Sequence, residues 1–191
     1  MKIYTNILKL RLPADERYKA HQQIDTLIQE RLSIKLPYSW RINPFPGAEQ
    51  YSLVQIKSGS PLGLPGEVAH EQSFTNGALV SFSCELNSEI RLPLKEGQKR
   101  PSGKHGSLDE VLALLNKIAP KNGFEVIAAE PIDEALFKIK KPKLPVFTLG
   151  HHQLSIVAKI IDHTLFEIAA TEGIGKKRMF GFGLIHNLAV I

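Results

Sequence analysis

Apolar residues recur along this chain at two spacings, and the switches between them mark out its elements. Residues 2–12 read as a first strand. Over residues 15–33 the apolar positions Ala20, Ile24, Leu27, Ile28 and Leu32 fall at helical spacing, which predicts an amphipathic helix. Residues 38–42 and 51–57 read as two strands of a hairpin. The turn Asn43-Pro44-Phe45-Pro46-Gly47 between them excludes regular structure. Val80, Phe82, Cys84 and Leu86 alternate along residues 79–86, as a half-buried strand requires. Residues 89–94 read as a further strand. Ser107 and Glu110 stand in capping-box spacing ahead of a helix with Val111, Leu112, Leu115 and Ile118 as its buried stripe. Gly123 falls where a helix end favours positive φ. Strands follow over 124–129 and 154–161, then a short helix over 165–171 and a closing strand over 182–190. Between them, residues 135–149 read as an extended basic ribbon that Pro142 and Pro145 keep out of a sheet interior.

The order is strand, helix, strand, strand in the first half, and strand, helix, strand, strand, helix, strand in the second. That is an α+β chain in which a ferredoxin-like (RRM-like) pattern fits twice in tandem, over residues 1–87 and 88–191. The first unit has no clear second helix, because residues 61–73 carry too many prolines and glycines.

Charge narrows the partner. Lys and Arg number 24 against 19 Asp and Glu, a net charge of +5, which favours a polyanion. Cys84 stands alone, so neither an internal disulfide nor a thiolate cluster can form, and a reducing cytoplasm is the expected setting. No stretch approaches the roughly 20 apolar residues of a membrane span, and no secretory leader pattern is present.

Candidate chemistry concentrates near the C-terminus. Gly173, Gly175, Gly181 and Gly183 bracket the consecutive cations Lys176, Lys177 and Arg178. Such a loop suits phosphate, since glycine admits close backbone approach while the cations neutralise charge. It follows a helix and precedes a strand, the reverse of a nucleotide-binding P-loop. A tight turn with a solvated basic tip is the alternative. Two further clusters, Lys95, Lys99, Arg100 and Lys104, then Lys138, Lys140, Lys141 and Lys143, lie on expected loops or ribbons and are candidate RNA surfaces. Of the seven histidines, none stands beside a second histidine and a carboxylate at metal-ligand spacing, and adjacent His151 and His152 read as a hairpin turn. His21 differs. It lies three residues after Tyr18 on one flank of the first helix, though a structural role is the commoner fate of a lone helix histidine.

Two motifs together resemble one family. The tail is similar to the glycine-rich signature of the RAMP superfamily of CRISPR-associated RNA-binding proteins, in the form found in CasE-type repeat endoribonucleases. The segment Tyr18-Lys19-Ala20-His21-Gln22 resembles that family's catalytic segment, in which a tyrosine precedes the histidine by three residues. The resemblance implies a double ferredoxin-like fold, recognition of a CRISPR repeat RNA stem-loop, and one cut at its 3′ base. Retention of the product beside other subunits of a CRISPR surveillance complex is implied too. It also implies attack of a ribose 2′-hydroxyl on the adjacent phosphorus without metal or cofactor, with His21 and Tyr18 sharing the proton transfers in an order left open. A non-catalytic RAMP subunit that holds CRISPR RNA as scaffold is the main rival, and a basic protein for some other RNA or a nucleotide is the second.

Overall fold

The computed structural model describes residues 1–93, 103–141 and 146–191. Lys95, Lys99, Arg100 and Lys143 of the expected basic clusters, with Pro142 and Pro145, lie outside the described residues.

The first unit runs β1 (Lys2–Leu10), α1 (Arg17–Leu32), β2 (Ser39–Pro44), β3 (Ser52–Ser58) and β4 (Val68–Glu71). Ala20, Ile24 and Ile28 recur every fourth residue of α1 and make its buried face. The helix stops at Ser33, whose φ of 56° turns its N–H back to the Gln29 carbonyl. The sheet order is β2-β3-β1-β4 with every neighbour antiparallel, the arrangement of a ferredoxin-like unit. The second helix of that pattern is replaced by a loop between β3 and β4. Pro61, Gly63, Pro65 and Gly66 deny it helical geometry, yet Leu62 and Leu64 still plug the core beneath, beside Trp40, Val54 and Ile56.

The second unit runs β5 (Leu79–Asn87), β6 (Glu89–Arg91), β7 (Gly103–His105), α2 (Leu108–Ile118), β8 (Phe124–Ile139), β9 (Phe147–Ile160), α3 (His163–Glu172) and β10 (His186–Val190). Its sheet order, β10-β5-β9-β8, is the same pattern complete with two helices. Strand β5 is therefore the first strand of this unit, and a boundary at residue 87 would cut it from the sheet it belongs to. The reason lies in its inward residues. Val80, Phe82, Cys84 and Leu86 pack with Val111, Leu115, Phe124 and Phe166 into one core. The strand expected over residues 89–94 is instead β6, which among the described residues pairs with β7 as a small inserted hairpin.

The capping box of Ser107 and Glu110 forms as expected, and Gly123 takes a φ of 77°. The basic ribbon is the far end of a long β8–β9 hairpin. Pro131 is tolerated there because β8 is an edge strand and its ladder slips between Pro131 and Asp133. His151 and His152 lie within β9, both buried, rather than in a turn.

Candidate functional site

Helix α1 carries the centre of the site. Its second residue, Tyr18, and its fifth, His21, sit one turn apart, and Asp25 follows one turn further along the same flank. The imidazole of His21 lies 6.3 Å from the indole of Trp40 with the two rings 4° from parallel. Trp40 is buried in β2, so it gives the imidazole a fixed wall. The Tyr38 hydroxyl, one residue before β2, donates to Asp25 Oδ1 at 2.6 Å and stands 3.1 Å from His21 Nδ1. His21 Nε2 is 3.4 Å from Asp25 Oδ2, longer than an ordinary hydrogen bond.

His21, Asp25, Tyr38 and Trp40 line a groove of about 290 Å³ together with Lys35, Glu172, Arg178 and Met179. Partial burial pushes the His21 pKa below its usual value; Asp25 opposes this, and the charges of Lys35 and Lys141 add to it. The shift favours the neutral imidazole, the form able to accept a proton. Burial, then the bond to Asp25, raises the Tyr38 pKa, so its hydroxyl stays protonated.

Tyr18 does not share that groove. It lines a neighbouring one of about 170 Å³ with Asp15, Glu16, Lys19, Lys138, Ile139 and Lys140. Lys141 Nζ lies 4.9 Å over the Tyr18 ring and 4.9 Å over Phe180. Helix, basic ribbon and glycine-rich loop therefore converge on one side of α1. The hydroxyl that engages His21 is that of Tyr38, not Tyr18.

The glycine-rich loop is a packed structure. Gly173, Gly175, Gly181 and Gly183 all have φ between 77° and 89°. A Cβ on Gly183 would stand 2.0 Å from the Ile174 carbonyl oxygen, and one on Gly181 would stand 3.1 Å from the Trp40 ring. The N–H groups of Gly173, Gly181 and Gly183 donate to the carbonyls of Ala169, Arg178 and Glu85. These three glycines thus fix the path of the chain, while their amides are already used. Among the cations, Lys177 pairs with Glu89 at 2.9 Å, and Arg178 donates to the Glu172 carbonyl beside the His21 groove. Lys176 is exposed. Lys104 pairs with Glu110 at 2.7 Å, and Lys138 and Lys140 face solvent.

The two units are locked at the base of α1. Arg17, almost fully buried, donates from Nη2 to Glu85 of β5 at 3.1 Å and from Nη1 to the Phe180 carbonyl at 3.0 Å. Burial lowers the guanidinium pKa and Glu85 opposes that shift.

Asp25 and Tyr38 escaped the sequence reading. Asp25 left a usable signal, a carboxylate four residues after a histidine on one helix. Tyr38 left none, because its approach to His21 depends on how β2 lies against α1. A third group, His105, Glu134 and His152, is also assembled by the fold from distant positions.

The fold is that of two ferredoxin-like units in tandem. Among solved structures, the chain is similar over its whole length to Cse3 of Thermus thermophilus bound to an RNA representing a pre-cleavage complex, with TM-score 0.72, 15% identity and 98% of that chain covered. It is likewise similar to the CRISPR-associated protein Cas6e of Escherichia coli K-12, with TM-score 0.70, 16% identity and all of both chains covered. A RAMP protein binding different RNA substrates matches with TM-score 0.57 and 12% identity over 100% of this chain and 99% of that one. At these identities the likeness is one of fold, and it falls on the same family that the two sequence motifs resemble. No protein-family model matches the sequence, and no curated protein is similar to it in sequence. Among the described residues no helix is long and apolar enough to cross a membrane.

Proposed function

We propose that this chain is an endoribonuclease that cuts CRISPR precursor RNA within its repeat and keeps the mature RNA as part of a surveillance complex in the cytoplasm. The observation that carries the reading is His21. It is an imidazole whose neutral form burial favours, walled by Trp40, tethered to Tyr38 and Asp25, and open to a groove into which Arg178 and Lys35 bring positive charge beside the carboxylates of Asp25 and Glu172. It stands on a fold shared with Cse3 and Cas6e.

In the proposed reaction the ribose 2′-hydroxyl attacks the adjacent phosphorus, forming a cyclic phosphate and expelling a 5′-hydroxyl. His21 takes part in one proton transfer, and its neutral form suits removal of the 2′ proton. A protonated His21 would be held between the Tyr38 oxygen and Asp25, in the form that returns a proton to the leaving oxygen. Tyr18 and Lys141 flank the path of the strand, and Tyr18 serves to position a hydroxyl or donate a proton. Arg178, Lys176 and Lys141 supply positive charge for the phosphorane, so the step needs no metal. Gly173, Gly175, Gly181 and Gly183 hold the loop in shape, and Lys138, Lys140 and Lys104 extend a basic surface toward the stem of the repeat. A-form RNA is read mainly through shape, phosphates and unstacked bases, which suits such a surface.

Single-turnover cleavage of the cognate repeat RNA in excess EDTA tests the proposal. The wild type should cut, His21→Ala should cut about 10² to 10⁴ times more slowly with RNA affinity retained, and alanine at Lys176, Lys177 and Arg178 should weaken binding. Tight binding without a cut by any of the three proteins would overturn the nuclease and leave the RNA scaffold.

A further inference from the structure

The cluster of His105, Glu134 and His152 belongs to none of the chemistry above. His105 ends strand β7 of the small hairpin. Glu134 and His152 are direct partners in the β8–β9 ladder, so their side chains leave the sheet on one face. One ligand atom from each lies within 4.8 Å of the others. Glu134 Oε1 is 2.6 Å from His105 Nε2, and its Oε2 is 3.8 Å from His152 Nδ1. We infer that these three residues form a binding site for one divalent transition-metal ion of the zinc type, which clamps the β6–β7 hairpin to the β8–β9 ribbon.

Each ring is held by its other nitrogen. His152 is 3% exposed, and its Nε2 stands 3.2 Å from the Gly106 carbonyl. A carbonyl only accepts, so the proton sits on Nε2 and the Nδ1 lone pair faces Glu134. His105 Nδ1 is hydrogen-bonded to the Ser88 hydroxyl, which leaves Nε2 toward the same carboxylate. Such outer bonds orient metal-ligating histidines generally. Ligand atoms around tetrahedral zinc lie roughly 3.3 Å apart, a value between the two observed separations. Closing on one ion requires the exposed Glu134 carboxylate to turn so that one oxygen faces both rings, and the imidazole planes, 10° from parallel with centres 5.5 Å apart, to tilt toward it. On binding, the metal takes the His105 Nε2 lone pair while the single imidazole proton stands on Nδ1, donated to the Ser88 hydroxyl oxygen, so no proton is lost from the neutral ring. Two histidines and one glutamate leave a fourth position for water, toward the exposed side.

The test is titration of tag-free protein with Co²⁺, followed by its visible absorption, and with Zn²⁺ by competition against a chromophoric chelator. One equivalent should bind with a tetrahedral cobalt spectrum, and Zn²⁺ should raise the thermal midpoint. His105→Ala should abolish the spectrum, and Glu134→Gln should weaken binding by at least about tenfold. His70→Ala, which alters an exposed histidine elsewhere, should change nothing. Glu134 is more than half exposed, so its variant keeps the fold even if His105→Ala does not. Absence of a cobalt spectrum, or equal affinity in wild type and Glu134→Gln, overturns the site and leaves a His-Glu-His hydrogen-bond chain. Cleavage in EDTA is unaffected by either result.

Discussion

The Arg17–Glu85 pair should be the most expensive contact in the molecule to break from one side. Its two side chains are 3% and 8% exposed, and the guanidinium is stacked 4.1 Å from the Phe137 ring centre and 4.9 Å from that of Phe182. Water cannot replace the lost partner. Glu85→Gln keeps the shape and removes the charge, leaving Arg17 uncompensated, at a cost of about 3–5 kcal/mol. That is a large part of the ~5–15 kcal/mol that hold a domain together. Arg17→Met removes in addition the donor to the Phe180 carbonyl and should cost a similar amount. The double variant Arg17→Met with Glu85→Leu buries apolar groups of like volume and should lose much less than the sum, giving a coupling of about 2 kcal/mol or more. Equilibrium urea unfolding of the wild type, Arg17→Met, Glu85→Leu and their double variant closes the cycle, with unchanged slopes marking a common mechanism. A Glu85→Gln cost below about 1 kcal/mol, or additivity within ~0.5 kcal/mol, would refute the claim that this pair is buried and coupled.

Three more outcomes follow from single sites. His186 is 3% exposed, and burial with the Arg41 guanidinium, 2.6 Å from its Nε2, lowers its pKa to about 4. The unfolded chain, titrating near 6.5, binds the proton first, so this stability is complete above pH 6.5 and is lost as pH falls toward 4, by about 3 kcal/mol; urea midpoints from pH 7.5 to 4 should fall less steeply in His186→Gln. Gly183→Ala should destabilise by more than about 2 kcal/mol, since positive φ and the Ile174 carbonyl both oppose a Cβ, whereas Gly47→Ala, at φ +74° with open space around it, should cost only about 1 kcal/mol by thermal unfolding. Tyr38→Phe, which unties His21 from Asp25, should slow single-turnover cleavage about tenfold, or ~1.4 kcal/mol, with RNA affinity unchanged; an unaltered rate would make the Tyr38 hydroxyl a bystander.

Elements whose signals are local were legible in the sequence. Helix α1 follows from the four-residue recurrence of Ala20, Ile24 and Ile28, and the start of α2 from Ser107 and Glu110. Membership of a sheet was not legible, because pairing is a long-range choice. Strand β5 has the alternation of any half-buried strand, and nothing within it says that β9 and β10 flank it. The same holds for His151 and His152. Adjacent histidines suggest a turn until the length of the β8–β9 hairpin places them in mid-strand. Tyr18 and His21 were visible as a helix pair. The groove around His21 was not, since Tyr38 and Trp40 reach it from the β2 segment and Arg178 from the glycine-rich loop.

That convergence explains why a glycine-rich tail and a Tyr-x-x-His helix occur in one chain. Gly181 lets the loop pass within 3.1 Å of the Trp40 ring, measured from where a Cβ would stand, and Trp40 is the wall against which His21 stacks. The loop's Phe180 carbonyl accepts from Arg17, the first residue of the helix that carries His21. The glycines therefore set the position of the imidazole through two contacts, one to its wall and one to its helix. A side chain at Gly181 would push on the Trp40 ring and reach the proposed proton-transfer group without touching RNA. Loss of cleavage in a glycine variant is thus poor evidence of a phosphate contact, whereas loss of binding in Lys176→Ala, an exposed cation, is good evidence of one.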